Sequence, residues 1–118
     1  MSSSLIYGPN AIKGSLGFSE TSLYYFQISG NNTKKIRFKS SGVLNGILFL
    51  CGANSSKRGL YFMSSTTSGN PGFTAITAAS DFAYSSEDRV VTLSNTGSTY
   101  LFGVLLAFNN DAKPTSVT

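Results

Sequence analysis

The stretch from Arg89 to Phe108, RVVTLSNTGSTYLFGVLLAF, constrains the fold more than any other part of the chain. From Tyr100 onward the residues are apolar at odd and even positions alike, and alternate side chains of a strand point to opposite faces. A strand that is apolar on both faces is typical of a sheet that is covered on both sides. The polar residues Asn95 to Thr99 provide a turn. We therefore predict a central β-hairpin whose residues Phe102, Val104 and Leu106 are nearly fully buried.

Two further patterns upstream predict strands. Thr21 to Ser29 and Lys34 to Ser40 flank the turn residues Gly30-Asn31-Asn32, which indicates a second hairpin with Tyr24, Phe26 and Ile28 on one face. Polar side chains alternate with apolar ones in the second arm of this hairpin, so its basic residues should face solvent.

The middle of the chain is more apolar. Val43 to Cys51 predicts a central strand covered on both faces, with Phe49 and Leu50 buried and Cys51 a buried free thiol. Gly59 to Ser64 predicts another strand of this kind, and Phe73 to Ala79 is compatible with either a short strand or a helical turn.

These segments give about seven strands with turn signals roughly every 8 to 12 residues and no amphipathic helix, which is typical of a β-sandwich or barrel. We predict an all-β fold, an antiparallel β-sandwich of jelly-roll-like type. The sandwich should comprise residues 18–110, with the doubly apolar strands in central positions.

The two ends of the chain differ in character. Residues 1–17 are predicted to form an N-terminal arm that is too apolar to be a simple tail, and residues 111–118 a polar C-terminal tail. The apolar arm residues are candidate assembly contacts: Leu5, Ile6, Tyr7 and Ile12. The arm could lie along a neighbouring subunit or pack back on its own domain.

The residue types argue against an enzyme. The sequence contains no His, the commonest general base and metal ligand, and only five acidic residues. Asp81, Glu87 and Asp88 form the one local acidic cluster, and their spacing does not match a calcium-binding loop. We predict neither catalytic activity nor a metal, and phosphate-binding glycine motifs and any cofactor signature are also missing.

The net charge of +4 does not by itself indicate a nucleic-acid partner, because the basic residues lie in a strand pattern without an aromatic RNA-binding motif. The N-terminus MSSSLIYGPN has neither the basic start nor the apolar stretch of a signal peptide, and no apolar run is long enough to span a membrane. We therefore expect synthesis in a cytoplasm, without membrane insertion.

Aromatic residues beside loops are the remaining candidates for ligand contact. Aromatic faces flanked by Asn and Ser are suited to carbohydrate, and the possible ligand-facing residues are Tyr61, Phe73, Phe82 and Tyr84. In a sandwich of this size such rings can equally belong to the core.

The alternation in STYLFGVLLAF and the small-residue run GANSSKRGLYFMSSTTSG resemble small all-β domains of bacteriophage virion proteins. The resemblance covers about Leu23 to Phe108. It implies a non-enzymatic virion component of tail-fibre, receptor-binding or capsid-decoration type, commonly trimeric, whose loops contact a host surface or whose sides contact other subunits.

Two functions follow from these observations. The chain is either a structural virion protein that self-associates, with a trimer favoured, or a lectin-like module that binds a glycan. Self-association is expected because strands that are apolar on both faces leave more apolar surface than a lone sandwich can bury. Exposed aromatic residues on sheet faces would favour assembly, whereas exposed aromatic residues at one loop end would favour a glycan.

Overall fold

The computed structural model describes residues 22–118, and this part of the chain consists of strands, loops and two short 3₁₀ turns, Ser55–Lys57 and Asn110–Ala112. The strands are β1 (Ser22–Ile28), β2 (Thr33–Arg37), β3 (Asn45–Gly52), β4 (Gly59–Ser64), β5 (Gly72–Thr77), β6 (Phe82–Glu87), β7 (Val90–Asn95), β8 (Leu101–Ala107) and β9 (Ser116–Val117). The predicted all-β sandwich is confirmed.

The strands form two antiparallel sheets. Sheet A has the order β1-β8-β3-β4-β5, and sheet B has the order β6-β7-β2-β9. Their inner faces supply one apolar core, to which sheet A contributes Ile28, Leu48, Leu101 and Leu105, and sheet B contributes Ile36, Val91 and Leu93. The doubly apolar strands β8, β3 and β4 are the three central strands of sheet A, as predicted.

The predicted central hairpin is wrong. β7 lies in sheet B and β8 in sheet A, so residues 96–100 carry the chain from one sheet to the other. The buried amide of Asn95 stabilises this crossing, because its Nδ2 donates to the carbonyls of Ile28 and Thr99 at 3.0 and 2.7 Å. A polar turn rich in Gly and Ser has the same composition in a hairpin and in a sheet crossing.

The hairpin predicted for β1 and β2 is wrong for the same reason, since β1 pairs with β8 and β2 pairs with β7. The β1–β2 crossing and the β7–β8 crossing are thus nested, because the strands on each side of them pair with one another. True hairpins join β3 to β4, β4 to β5 and β6 to β7. In the last of these the two turn residues Asp88 and Arg89 have φ of 53° and 64°, the positive values that a tight hairpin turn requires.

The prediction of which β8 side chains are buried is wrong. Leu101, Gly103, Leu105 and Ala107 point into the sandwich, while Phe102 is 52% exposed and Val104 and Leu106 are only half-buried. Because both faces of this strand are apolar, alternation alone could not tell the inner face from the outer one.

β3 likewise has one face in the core and one more exposed face. Leu50 is buried as predicted, but Phe49 is 45% exposed and the thiol-bearing Cys51 is exposed rather than buried. In register, Phe49 lies beside Val104 and Cys51 beside Phe102, so these residues share the outer face of sheet A. The predicted cover on both faces of β3 is therefore wrong for the described residues.

The remaining segments take definite places. Phe73 to Ala79, which is compatible with a strand or a helical turn, contributes to strand β5. Within residues 111–118, β9 adds a short edge to sheet B beside β2. The candidate assembly residues Leu5, Ile6, Tyr7 and Ile12 lie outside the described residues.

Candidate interaction surface

The outer face of sheet A is an exposed apolar surface. Its side chains come from alternate positions of β1, β8, β3 and β4, and the register places them in rows across the sheet. The more exposed of them are Leu23, Tyr25, Phe49, Phe62 and Phe102. Tyr25 projects furthest and is 75% exposed. Monomeric soluble proteins rarely expose contiguous apolar patches of more than a few hundred Å², so this face is the leading candidate for contact with another molecule.

Within residues 22–118, no strand of sheet A contains a charged residue. The charged residues of the described chain lie in sheet B, in loops and near the C-terminal end. On sheet B the prediction that the basic strand faces solvent is confirmed, because Lys35 and Arg37 are exposed and Ile36 between them is buried. They line a polar groove with Glu87 of β6. The two outer faces of the sandwich are therefore chemically distinct, one charged and one neutral.

A shallow depression of about 390 Å³ lies in the middle of the outer face of sheet A. Tyr25, Phe49, Cys51 and Phe102 line it together with the backbone around Gly103. Phe26 packs over Gly103 on the inner side, where a Cβ would collide with its ring. The depression is thus an open, apolar recess beside the most exposed ring of the face, and it is large enough to receive a side chain.

The four possible ligand-facing residues lie on strands rather than in loops, and the structure brings them together. Tyr61 and Phe73 pack edge to face with ring centres 6.4 Å apart, Tyr61 and Phe82 are 5.5 Å apart, and Phe73 and Tyr84 are 4.9 Å apart. Tyr61 is buried, and its hydroxyl accepts a hydrogen bond from the Ala79 N–H. The cluster fills the space between β4, β5 and β6, so most of its ring surface is used for packing, and a ligand role stays a prediction.

One end of the sandwich is organised by Arg89, which is only 5% exposed. Its guanidinium donates to four backbone carbonyls in two loops, those of Lys39, Gly42, Thr66 and Gly69. The residue sits at the tip of the β6–β7 hairpin, so one side chain fastens the β2–β3 and β4–β5 loops to this tip. A buried arginine that directs four of its five N–H donors to backbone carbonyls is a structural anchor.

The opposite end contains a second buried cation, Lys57. Its Nζ is 3.5 Å from the Asp81 carboxylate and makes no hydrogen bond within the described residues. Asp81 lies in the β5–β6 connection, and its half-exposed carboxylate is the counter-charge of the Lys57 ammonium. The pair joins the β3–β4 loop to the neighbouring turn, and it lies away from the outer face of sheet A.

Between residues 22 and 118, no group of three or more His, Cys, Asp or Glu side chains is placed to hold a metal ion. Over the same range, the structure includes no helix with the length and apolar character needed to cross a membrane.

The sequence predicted doubly apolar strands with more apolar surface than a lone sandwich can bury, but Phe49, Phe102 and their apolar neighbours in β8 were expected in the core rather than on this face. The signal that could have identified the surface was the complete lack of charge in these strands together with the odd-numbered aromatic positions of β1 and β3. Arg89 was missed altogether, because its partners lie 20 to 50 residues away along the chain.

Comparison with known proteins shows a likeness of fold. The sequence matches no protein-family model and no curated protein. The structure is similar to part of the crystal structure of the tailspike protein gp49 from Acinetobacter baumannii bacteriophage Fri1, a capsular polysaccharide depolymerase. The match has a TM-score of 0.52 at 11% sequence identity, and it covers 83% of this chain and 18% of the tailspike. At this identity the likeness shows a shared all-β fold, and the chain corresponds to less than a fifth of the tailspike.

Proposed function

We propose that the chain is a non-enzymatic structural component of a bacteriophage particle that acts through contacts between protein subunits. The observation that carries the proposal is the neutral, aromatic outer face of sheet A. Exposing so much apolar surface to water is unfavourable in free energy, and contact with another protein would remove it from water. The fold likeness to part of a phage tailspike supports the same class of particle.

The position of the exposed aromatic residues favours assembly over glycan binding. Tyr25, Phe49, Phe62 and Phe102 collect on one sheet face, whereas the aromatic residues considered for a glycan pack largely against each other. A lectin-like module would need exposed rings with polar partners at one loop end. This arrangement supports subunit contact as the main role, with attachment to a host surface as a further possible role of the loops.

The proposal of a non-enzymatic role is supported by the contacts of the carboxylates in residues 22–118. Glycoside hydrolysis generally needs two carboxyl groups that flank the scissile bond. Asp81 is paired with Lys57, and Asp111 is paired with Lys39. Glu87 and its neighbour in sequence are solvent-exposed at a hairpin tip. The depolymerase activity belongs to the tailspike, of which this chain matches a minor part.

We further propose that the protein is made in the host cytoplasm and incorporated into the virion as a homo-oligomer, with a trimer favoured, and that residues 1–17 add to the subunit contacts. No cofactor is required for this role.

The test is to purify particles of the phage that encodes the chain on a density gradient and to identify their proteins by mass spectrometry. Peptides of this chain should band with the particles in a constant ratio to the major coat protein. Their recovery only from the soluble part of the lysate would contradict the structural role. In parallel, the purified protein should release no new reducing ends from capsular polysaccharide, and release above that of a heat-inactivated sample would contradict the non-enzymatic role.

A further inference from the structure

We infer that the outer face of sheet A is the surface through which copies of this chain associate, so that the face of each copy is covered by the same face of one partner in a dimer or of two partners around the axis of a trimer. The inference rests on the proposed structural role and adds to it the surface and the partner.

The size of the face suits a protein interface. Five strands of six to eight residues, spaced about 4.8 Å apart at about 3.3 Å per residue, project roughly 540 Å². Side-chain relief raises the accessible area above this projection. A stable interface buries on the order of 800 Å² per partner, so covering this one face with a protein surface is enough for specific association.

The charge of the face selects the kind of partner. Because none of the described strands of sheet A carries a charged residue, a charged partner would lose hydration without gaining an ion pair. The charged outer face of sheet B, with Lys35, Arg37 and Glu87, is excluded as the partner surface by the same reasoning. A second neutral apolar face is the matching chemistry, and every copy of the chain carries one.

The relief of the face is also compatible with self-association. The Tyr25 ring projects from the surface, and the depression between Phe49, Cys51 and Phe102 lies beside it. A patch that contacts its own copy must offer a projection and a recess together. The outer face of sheet A offers both within neighbouring strands.

The experiment uses the full chain and two variants that place a charge on the face. Phe49→Glu alters the centre of the sheet, and Tyr25→Lys alters the edge strand at a side chain that is already 75% exposed and so should not affect folding. Ser85→Glu places a matched charge on an exposed strand position of sheet B. Sedimentation equilibrium gives the mass, and circular dichroism checks that each variant is folded. The parent and Ser85→Glu should be oligomers, and each face variant should weaken association on the order of 100-fold or more, because its charge would be buried without a partner.

Cys51 provides a second measurement, because it is the only cysteine and lies on the face. A maleimide should label it slowly in the parent and Ser85→Glu oligomers and rapidly in the two face variants. A dimer or a trimer with this behaviour supports the inference.

Three results would overturn it. An oligomer that Phe49→Glu and Tyr25→Lys leave intact would place the contact elsewhere, while the proposed structural role would stand. A monomer with a reactive Cys51 would leave the face uncovered, and the role would then depend on the particle analysis alone. A monomer with a protected Cys51 would show that residues 1–21 of the same chain cover the face.

Discussion

Replacing Arg89 by Met should loosen one whole end of the sandwich. The substitution removes the guanidinium, keeps a side chain of similar length and leaves a non-glycine residue at the same positive φ, so the backbone preference changes little. What is lost is the set of hydrogen bonds to the carbonyls of two loops. The change in the free energy of unfolding therefore measures how much the Arg89 guanidinium stabilises these loops.

The magnitude follows from the surroundings of the four acceptors. A hydrogen bond from a charged donor contributes about 1.5–3 kcal/mol when its loss leaves a buried acceptor unpaired. These carbonyls belong to half-buried or exposed loop residues, where water can replace the lost donor, so about 1 kcal/mol each is the appropriate value. Removing a buried cation also relieves its desolvation, which offsets part of the loss. We expect the free energy of unfolding to fall by roughly 3 kcal/mol, equivalent to about 10–20 °C in Tm for a domain of this size.

Urea denaturation followed by far-UV circular dichroism measures the change, at one fixed protein concentration because association contributes to stability. Arg58→Met is the matched control, since Arg58 is exposed in the β3–β4 loop and should change stability by less than about 0.5 kcal/mol. Arg89→Lys should fall between parent and Arg89→Met, because one ammonium cannot reach all four carbonyls. If Arg89→Met unfolds at the same urea concentration as Arg58→Met, the guanidinium does not anchor these loops.

Two further comparisons, both made in the Phe49→Glu background to separate folding from association, test the assignment of faces in β8. Leu105→Ala should lower the free energy of unfolding by about 2–5 kcal/mol, because Leu105 is 0% exposed. Phe102→Ala should lower it by only about 1–2 kcal/mol, because the Phe102 ring is half-exposed. Equal urea midpoints for the two variants would show that the inner face is wrongly assigned. Gly103→Ala should cost about 1–3 kcal/mol by displacing the ring that packs over it, while Gly72→Ala, with open space around its Cβ, should be neutral or stabilising by up to about 1 kcal/mol. Thermal unfolding of the two glycine variants distinguishes them, and a destabilised Gly72→Ala with an unchanged Gly103→Ala would contradict the packing described.

Local patterns were sufficient for the fold class and for much of the sheet. Alternation in β1 correctly placed Ile28 in the core, and the basic residues of β2 correctly faced solvent. The doubly apolar pattern of β3, β4 and β8 correctly predicted that these strands are central. These are short-range signals, because the period of a strand is set within the strand itself.

The predictions that were wrong concern strand pairing and face orientation, which depend on contacts between residues far apart in the sequence. A polar turn after Asn95 leads to a hairpin or to the other sheet depending on whether β8 pairs with β7 or with β1 and β3. The inner face of β8 depends on the packing of Phe26 over Gly103, which no pattern within β8 contains. A surplus of apolar sheet surface was predicted, but Phe49 and Phe102, two of the residues that form it, were placed in the core.

The position of β8 between β1 and β3 has a consequence for folding during synthesis. Ser22 pairs with Ala107, so β1 emerges from the ribosome long before its only sheet neighbour among the described strands. The β3-β4-β5 meander can form early because its contacts are local, but it cannot yet be joined to β1. Sheet A is completed by insertion of β8 between two strands that are already present, a step that closes long loops and is characteristic of slow β-sheet folding. A chain released before residue 107 would therefore lack the strand that joins the two halves of sheet A.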